Sequence, residues 1–600
     1  MFTIFRHYKG FTLVETLVGV FLFALIAMAA YGGFVRVLQG LTLIKVKTAA
    51  TDLANEQFEI VRNLPYDTVG TIGGVVSGPV PQSQVLTRDG FPFTVDVDVR
   101  SIDDPFDGTI GGNPNDTSPA DYKLIEVRVS CSSCRNFSPI VYSGRVGPKN
   151  LEAVSTNGSL FVHVINANGQ PVSGATVEVR NTLLVPNIDY TSTTDVGGTL
   201  ELVSIPPSNE GYQIFVSKNG YTSAQTYTRG VNGNTNPTKP NATVVSQQLT
   251  EITLQIDLVS TLNLSTVNQV CTPIGNISYH LVGTKQIGNN PVIYKVDLTA
   301  STNGGGDSNQ ANLDWDNYGL TINSNTYTIA GVIPQLSVQL SPGATQAITL
   351  VLASKNPRNL LVTVKDTNNL PLANADVTIT QDADSSTLTT ARGVLDQSDW
   401  SGGSGAQTLV IGGNQYYAQD GHIDTTSTPG VLTLSQSLGQ YQSSGYLESA
   451  TFDTGSASTF YQLSWQPQNQ PIQTGTDSVK FQVAAANTNT GATVWNFTGP
   501  DGTAGTYYTL ASRDLNAALN NNRYFRYRVF LSTNDINYTP SVSDISFTFA
   551  SLCVPQGQVL FGGLGSDDVT VNISKTGYQP WSNIIPMSSN SVQVEATLTP

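Results

Sequence analysis

The spacing of hydrophobic residues divides the chain into two regions, and the first, with a helical spacing, lies near the N-terminus. Residues 17–35 carry no charge, and 19 such residues at about 1.5 Å each form a helix of about 28 Å, enough to cross a membrane. Downstream, apolar side chains recur on one helical face until Asn63-Leu64-Pro65-Tyr66 ends the helix. The pattern therefore predicts one long helix over 11–64. Its amphipathic face contains Ala50, Leu53, Ala54, Phe58 and Val61, with Gln57 as the polar residue among them.

From residue 65 onward, the hydrophobic period changes to two. Residues 91–99 and 123–130 alternate apolar and polar side chains, as half-buried strands do. Gly is plentiful, with 54 residues, and only 12% of all residues are charged, which favours all-β modules with short turns. The predicted fold class is mostly β, with one long N-terminal helix, a β head and several β-sandwich domains.

The start of the apolar segment carries an unusual carboxylate. Arg6, His7 and Lys9 precede the segment and favour an N-terminus in the cytoplasm. Glu15, however, costs about 2–3 kcal/mol inside a membrane, and an ionisable residue there indicates a function. A signal-peptidase site at Ala27-Met28-Ala29 and an uncleaved plain anchor are two competing interpretations, and neither explains Glu15.

Residues 9–15, Lys-Gly-Phe-Thr-Leu-Val-Glu, resemble the processing site of type IV prepilins and of type II secretion pseudopilins. The resemblance implies that a prepilin peptidase cuts between Gly10 and Phe11, after which Phe11 is N-methylated. It also implies that Glu15 pairs with the N-terminal amine of a neighbouring subunit during assembly. Such a pair makes a buried carboxylate tolerable. The helix would become a pilin stalk, located in the inner membrane with its N-terminus inside and later in an extracellular filament or at the cell surface.

An internal repeat begins near residue 160. Residues 160–179 align without a gap to residues 360–379, an offset of 360 − 160 = 200. Each copy reads as a strand, a polar turn, a proline and a second strand. These segments resemble the carboxypeptidase regulatory-like (transthyretin-like, CnaB-like) sandwich, which implies seven strands and no catalytic residues. Unrelated β-hairpins of like composition are the alternative interpretation.

A second repeated segment indicates that one module is interrupted. Residues 214–221 match residues 571–578, yet 553–600 alone is too short to build a core. We therefore expect 355–440 and 553–600 to form one split module around an inserted sandwich. The predicted domains are a leader at 1–10, the stalk at 11–64, a pilin-like head at 65–155, a regulatory-like sandwich at 156–258, a second sandwich at 259–354, the split module, and the insert at 441–552.

Composition narrows the function classes. The chain has 44 acidic residues and 29 Lys and Arg residues, which gives a net charge of −15. A basic surface that could bind nucleic acid is therefore not expected. The sequence contains no zinc-protease, phosphate-loop or G-x-S-x-G motif. We expect a protein that is not an enzyme and needs no cofactor.

Two polar clusters are candidate sites in the head. A Gly/Pro/Asn-rich loop holds five carboxylates that are weak Ca²⁺ candidates, although their spacing matches no EF-hand and a solvated loop is favoured. They are Asp103, Asp104, Asp107, Asp116 and Asp121. Cys131 and Cys134 form a C-x-x-C, for which a local disulfide is expected in an exported head. Cys271 and Cys553 either cross-link two modules or stay as thiols.

The insert is the candidate region for recognition because it is rich in aromatic side chains and contains Arg523, Arg526 and Arg528. An aromatic platform suits sugar or protein ligands, but core filling is favoured for most of these rings. They are Tyr461, Trp465, Trp495, Phe497, Tyr507, Tyr508, Tyr524, Phe525 and Tyr527.

Together these features predict a large minor pilin or pseudopilin. Its expected partners are prepilin peptidase, other pilin subunits along the helix, the inner membrane, and a cell-surface or glycan ligand for an adhesive head. A type II secretion pseudopilin whose modules engage cargo is one alternative. The other is a membrane-anchored surface protein that never polymerises.

Overall fold

The computed structural model describes residues 12–149, 156–334, 337–356 and 358–600. These residues form two compact units. The first runs to Leu258 and includes Gln286–Ile293, and the second contains Val259–Lys285 and Tyr294–Pro600. The predicted boundary between head and first sandwich, at residue 155, lies outside the described residues.

A single helix, Leu13–Arg62, opens the first unit. Its C-terminal part packs on the head sheet, and the short 3-10 turn Tyr66–Thr68 follows it. The predicted amphipathic face is the buried one, because Ala50, Leu53, Ala54 and Val61 are all at most 1% exposed. The prediction of one long helix is therefore confirmed.

The head contributes four antiparallel strands to a seven-stranded sheet, and alternate valines of its two central strands form the core beneath the helix. The sheet continues into the first module, which comprises residues 158–255, through the bridge between Ser101 and Val203. Head and first module therefore share one compact unit. In order the strands are Leu249–Gln255, Gly158–Ile165, Thr199–Ile205, Phe91–Ile102, Tyr122–Ser130 and Ile140–Val146, with Ser83–Arg88 paired to Phe91–Ile102.

The second sheet of the first module covers the opposite side of that module's core. Its strands are Ala224–Gln225, Ser208–Ser217, Thr176–Asn181 and Ile188–Thr193, and Ala242–Val244 also pairs with Ser208–Ser217. The 3-10 turn Val231–Gly233 and the short strand Gln286–Gly288 complete this part of the unit.

The second unit begins with the second module, a sandwich of two four-stranded sheets over residues 260–354. One sheet contains Asp307–Leu313, Ser260–Val267, Thr345–Ser354 and Tyr327–Ile333. The other contains Asp297–Ser301, Ser278–Gly283, Asp316–Ile322 and Val338–Leu340.

Strands from two distant parts of the sequence make the next sandwich, the split module. Its three-stranded sheet is Gln558–Gly562, Asn359–Asp366 and Ser591–Leu598. Its four-stranded sheet is Asp384–Thr389, Asp376–Gln381, Val569–Ser574 and Trp581–Ile585. One hydrophobic core lies between these sheets and draws on both chain segments.

The insert between those segments has its own core and begins earlier than residue 441. Gly393–Gln397 pairs with Asp544–Ala550, so residues from 393 onward belong to the insert rather than to the split module. The sequence did not show this because 393–440 contains only short strands. The main sheet is Gly393–Gln397, Asp544–Ala550, Phe452–Gln466, Asn522–Ser532, Ser444–Ser449 and Tyr416–Gln419, with Val479–Ala486 and Arg513–Asp514 attached.

Smaller elements complete the insert. Ile423–Asp424, Leu432–Leu434 and Ser541–Val542 form one small sheet, and Gln436–Ser437 pairs with Gln440–Tyr441. The 3-10 turns are Ile472–Thr474 and Ala517–Leu519.

All three modules share one arrangement of first and last strands. In each, the first strand pairs in parallel with the last, and its end bridges to a proline, Pro171, Pro273 or Pro371. The second module therefore has the same opening as the two modules that the sequence repeat connects.

Candidate functional site

The described chain begins at the helix cap, directly after the predicted processing site. Gly10 and Phe11 lie outside the described residues. Thr12 caps the helix, since its Oγ1 accepts a hydrogen bond from the N–H of Glu15 at 3.3 Å. The N–H and Oγ1 of Thr12 each donate to Oε2 of Glu15 at 3.0 Å, which completes a capping box. The carboxylate of Glu15 is thus held at the very start of the helix.

Over the next 30 or so residues of the helix, most apolar side chains are exposed in the single chain. Leu13 is 79% exposed, Phe23 73% and Phe34 62%. The helix is long and apolar enough to span a membrane. An exposed apolar surface of this length is unfavourable in water and requires either lipid or other protein chains to cover it.

The C-terminal part of the helix, which follows that surface, packs tightly against the head. Gly144 makes room for the ring of Phe58, because a Cβ at Gly144 would lie 2.4 Å from Cζ of Phe58. The amide of Gln57, which is 8% exposed, accepts a hydrogen bond from Nε2 of Gln84 at 3.0 Å. Glu56 also forms an ion pair with Arg88. The polar residue on the buried face is therefore satisfied by the first strand of the head.

The end of the helix is tied down by a buried lysine. Lys123 donates from Nζ to the carbonyl oxygens of Tyr66 and Val69 at 2.7 and 2.8 Å. Burial lowers the pKa of this lysine. The turn after the helix is thereby fixed to the head sheet.

The acidic loop of the head brings several of its carboxylates into one electrostatic environment. Burial, together with the charges of Asp116, Asp121 and Asp107, raises the pKa of Asp103 to about 6. Oδ2 of Asp103 accepts from the N–H of Ile110 at 2.8 Å, whereas its Oδ1 is buried without a hydrogen-bond partner. Oδ2 of Asp116 is likewise buried and unpartnered.

Other carboxylates of this loop accept hydrogen bonds from backbone N–H groups. Asp121 accepts from the N–H of Asp104, and Asp104 accepts from that of Phe106 at 3.3 Å. Within the described ranges, no three Asp, Glu, His or Cys side chains converge in a way that could hold a metal ion. A Ca²⁺ site in this loop therefore stays a prediction, and it requires the carboxylates to move closer together.

All four cysteines are paired in the structure. Cys131 is bonded to Cys134 in the head, and Cys271 to Cys553 in the second unit. The second bond connects the turn after the first strand of the second module to the chain that leaves the insert. The sequence left open whether Cys271 and Cys553 cross-link two modules or stay as thiols, and the structure shows the cross-link.

Most aromatic side chains of the insert fill its core. Trp465, Phe497, Tyr508, Phe525 and Tyr527 are each at most 8% exposed. Tyr461, Trp495, Tyr507 and Tyr524 are half-buried instead. Core filling is therefore the main role of these rings.

The three arginines predicted from the sequence, Arg523, Arg526 and Arg528, each pair with a carboxylate, and that of Arg523 belongs to Asp453, at 2.7 Å. Arg526 is 1% exposed, bonds Oε1 of Glu448 at 2.7 Å, and lies between the rings of Tyr417 and Trp495. Arg528 bonds Oε2 of the same Glu448 at 2.7 Å. Glu448 was not singled out from the sequence, because only the pairing of its strand with Asn522–Ser532 places it between the two arginines. These cations fix the rings in place and are not available to an anionic ligand.

Comparison with family models identifies the N-terminal segment. Residues 5–31 match the model described as the prokaryotic N-terminal methylation motif. This match includes the whole predicted processing site and most of the exposed apolar part of the helix. The chain thus carries a prepilin-type methylation motif. No curated protein matches the chain.

Several solved structures resemble parts of the chain. The TIE protein of Bacillus anthracis is 12% identical, with 52% of this chain and 67% of that chain covered and a TM-score of 0.14. The minor pilin GBS52 of Streptococcus agalactiae is 11% identical, with 33% and 96% covered and a TM-score of 0.17. A streptococcal ancillary pilin is 11% identical, with 74% and 99% covered and a TM-score of 0.14. Scores this low carry no argument about function.

Proposed function

We propose that this chain is a large minor pilin, cut by a prepilin peptidase between Gly10 and Phe11 and incorporated into a type IV pilus-like filament. The observation that carries the proposal is the exposed apolar surface of Leu13–Ile44, which has the carboxylate of Glu15 at its start. Glu15 lies inside the segment that matches the methylation motif. Before assembly the inner membrane would cover this surface. In a filament, the helices of other pilin subunits would cover it.

Glu15 supports assembly over a plain membrane anchor. A carboxylate near the end of a spanning helix costs free energy unless a cation pairs with it. The new N-terminal ammonium of a neighbouring subunit would supply that cation, and Thr12 already orients the carboxylate. In a plain membrane anchor, no such cation would offset the free-energy cost of the Glu15 carboxylate.

The role of the remaining modules is proposed to be adhesive and structural rather than catalytic. The described residues form five hydrophobic cores, of which that of the insert lies between the two chain segments of the split module, and only 12% of all residues are charged. A chain of this size suits a subunit that is present in only a few copies per filament. Under this proposal the modules lie outside the filament core and present binding surfaces to a cell-surface or glycan ligand.

The mature N-terminus tests the processing step. Mass spectrometry of the protein from cells is expected to find a peptide that starts at N-methylated Phe11. A start at Ala30 would mean signal-peptidase cleavage and would overturn the proposal. An intact Met1 would leave a plain membrane anchor.

A charge-only substitution tests assembly. Glu15→Gln keeps the side-chain volume and can still cap the helix, because Gln also serves at this position of a capping box. We expect it to reach the membrane but to be absent from sheared filaments. The matched control is Glu59→Gln, at an exposed position near the end of the same helix, which should assemble normally. Unchanged filament incorporation of Glu15→Gln would instead favour a surface protein that does not polymerise.

A further inference from the structure

A cleft of about 490 Å³ lies on the outer face of the five-stranded sheet of the first module. Its floor is made by side chains that point away from the core on two neighbouring strands. Glu178 lies opposite Phe215, and Arg180 lies opposite Gln213, in the register of these strands. Gln225, opposite Phe215 on the other side, extends the floor. The cleft is within the size range of small-ligand sites.

The wall of the cleft is a loop held in place by backbone hydrogen bonds. Nδ2 of Asn234 donates to the carbonyl oxygen of Ile287 at 2.9 Å, and the N–H of Thr238 donates to the same oxygen at 3.1 Å. The N–H of Asn289 donates to the carbonyl oxygen of Asn236 at 2.9 Å. The wall is therefore preformed, which lowers the entropy cost of binding a ligand.

One polar atom in this wall is unsatisfied. Asn234 is 4% exposed and lines the cleft, and its Oδ1 has no hydrogen-bond partner among the described residues. A buried acceptor without a donor costs about 1–3 kcal/mol. This oxygen is closed to solvent and faces Gly288, where a Cβ would lie 2.4 Å from it, so it belongs to the packing of the wall and is not a contact for the ligand.

The other lining groups match the two kinds of surface on a sugar ring. The amides of Gln213, Gln225 and Asn232 can each donate and accept, as each sugar hydroxyl also does. The half-buried ring of Phe215 offers an apolar face for the C–H side of a pyranose. Ile287 and Ile293 add apolar surface beside it.

Charge and the position of the cleft on the face of the sheet disfavour other ligand classes. Arg180 is paired with Glu178 at 3.4 Å and with Asp189 at 3.1 Å, so these three groups carry a net charge of 1 − 2 = −1, which disfavours an acidic ligand. A peptide that adds to a sheet needs an unpaired strand edge. Strand Ser208–Ser217 is instead paired on both sides, and the cleft lies on the face of the sheet.

We propose that this cleft binds a neutral saccharide through its amide side chains and the ring of Phe215. This inference rests on the adhesive role proposed above and gives that role a location in the first module rather than in the insert. It does not require a filament, so it can be tested on the purified chain.

The test uses the full-length protein in detergent and saturation-transfer-difference NMR. The probes are the methyl glycosides of glucose, galactose, mannose, N-acetylglucosamine and glucuronic acid. At least one neutral glycoside is expected to bind, and the glucuronide is expected to bind more weakly than it does. Binding of none of the neutral glycosides, or tighter binding of the glucuronide, would overturn the proposal.

Variants then locate the site. Gln225→Trp fills the cleft with a large side chain at an exposed position and should weaken the dissociation constant at least tenfold. Gln213→Leu removes one amide at similar volume and should weaken it several-fold. Gln248→Trp is the matched control, because Gln248 is exposed in the same module but does not line the cleft. Equal affinity of Gln225→Trp and the wild type would show that the cleft is not the site.

Failure of this inference is separable from failure of the proposed function. Glu15→Gln should bind the glycoside as the wild type does, even though it fails to assemble. A chain that assembles but binds no neutral glycoside would refute only the saccharide site.

Discussion

Thr390 occupies in the split module the position that Thr194 occupies in the first module. Oγ1 of Thr194 accepts from the N–H of Ala175 at 3.0 Å and donates to the carbonyl oxygen of Val172 at 2.7 Å. Oγ1 of Thr390 makes the same two bonds, with Ala375 at 2.9 Å and Leu372 at 2.6 Å.

The chain returns to the split module at an equally defined point. The carbonyl oxygen of Gly557 accepts from the N–H of Val364 at 2.7 Å, just as Gly198 accepts from Val164 at 2.8 Å. The insert therefore comprises residues 391–556 and stands where the first module has the turn of residues 195–197.

Excision of the insert should leave the split module folded. Replacing residues 391–556 by Asp-Val-Gly, the turn of the first module, together with Cys271→Ser, joins two strands at positions that the same turn connects elsewhere in this chain. We expect the split module to keep a cooperative thermal transition in calorimetry. Deleting residues 376–389 instead removes two of its strands and should abolish that transition. Loss of the transition in both proteins would contradict the proposed insertion point.

Gly557 should tolerate no side chain. A Cβ at this residue would lie 2.6 Å from the carbonyl oxygen of Val364, and its φ is +66°. Gly557→Ala is expected to cost about 2–3 kcal/mol in urea unfolding, from a steric clash added to the left-handed penalty of about 1–2 kcal/mol. Gly563→Ala is the control, because φ there is +74° but a Cβ would have no atom within 4 Å. Equal costs at both positions would mean that only the backbone conformation matters.

The bond between Cys271 and Cys553 should stabilise the second unit, because it joins residues 282 positions apart in the sequence. Cys553→Ser is expected to lower the free energy of unfolding by about 2–4 kcal/mol. Cys271 has a φ of +60°, at a turn position held by Gly169 and Asn369, with φ of +75° and +67°, in the other modules. Adding Cys271→Gly to Cys553→Ser should therefore recover about 1 kcal/mol. Cys271→Ala in the same background should recover nothing, and a recovery there would reject the conformational cause.

Stability of the head should rise as the pH falls through 6. The folded pKa of Asp103, about 6, lies above its ordinary value of 3.8, so the folded head binds a proton that the unfolded chain releases. Its stabilising contribution is present below about pH 4 and is lost as the pH rises through 6. Asp103→Asn should accordingly raise the melting temperature at pH 7 and leave it unchanged near pH 4. The exposed Asp107→Asn should show a smaller effect of the same sign.

Calcium tests the other interpretation of the acidic loop. If these carboxylates bind Ca²⁺, millimolar Ca²⁺ should raise the melting temperature of the wild type at pH 7 but not that of Asp103→Asn. Magnesium at the same concentration controls for ionic strength. No difference between Ca²⁺ and Mg²⁺ would leave a solvated acidic loop as the correct interpretation.

The sequence was informative wherever a local pattern carries its own physical meaning. An uncharged stretch over residues 17–35, a carboxylate at Glu15 and an apolar helical face are properties of consecutive residues. Their consequences depend on helix geometry and on solvation, not on distant partners. The long helix and the mostly β remainder could therefore be predicted, and the repeat at residues 160 and 360 showed that modules recur.

Tertiary structure alone decided which distant residues meet. Nothing in the sequence near Gln57 indicates that Gln84 satisfies its amide, and nothing near residue 393 indicates a strand partner at 544–550. The cleft of the first module likewise combines Phe215 with Ile287, whose approach depends on backbone hydrogen bonds between two loops. Helix formation and membrane insertion are local free-energy balances, so the sequence determined the N-terminal region. Strand pairing across long loops and the filling of shared cores depend on the whole fold, so only the structure decided the boundaries of the insert and the surfaces available for binding.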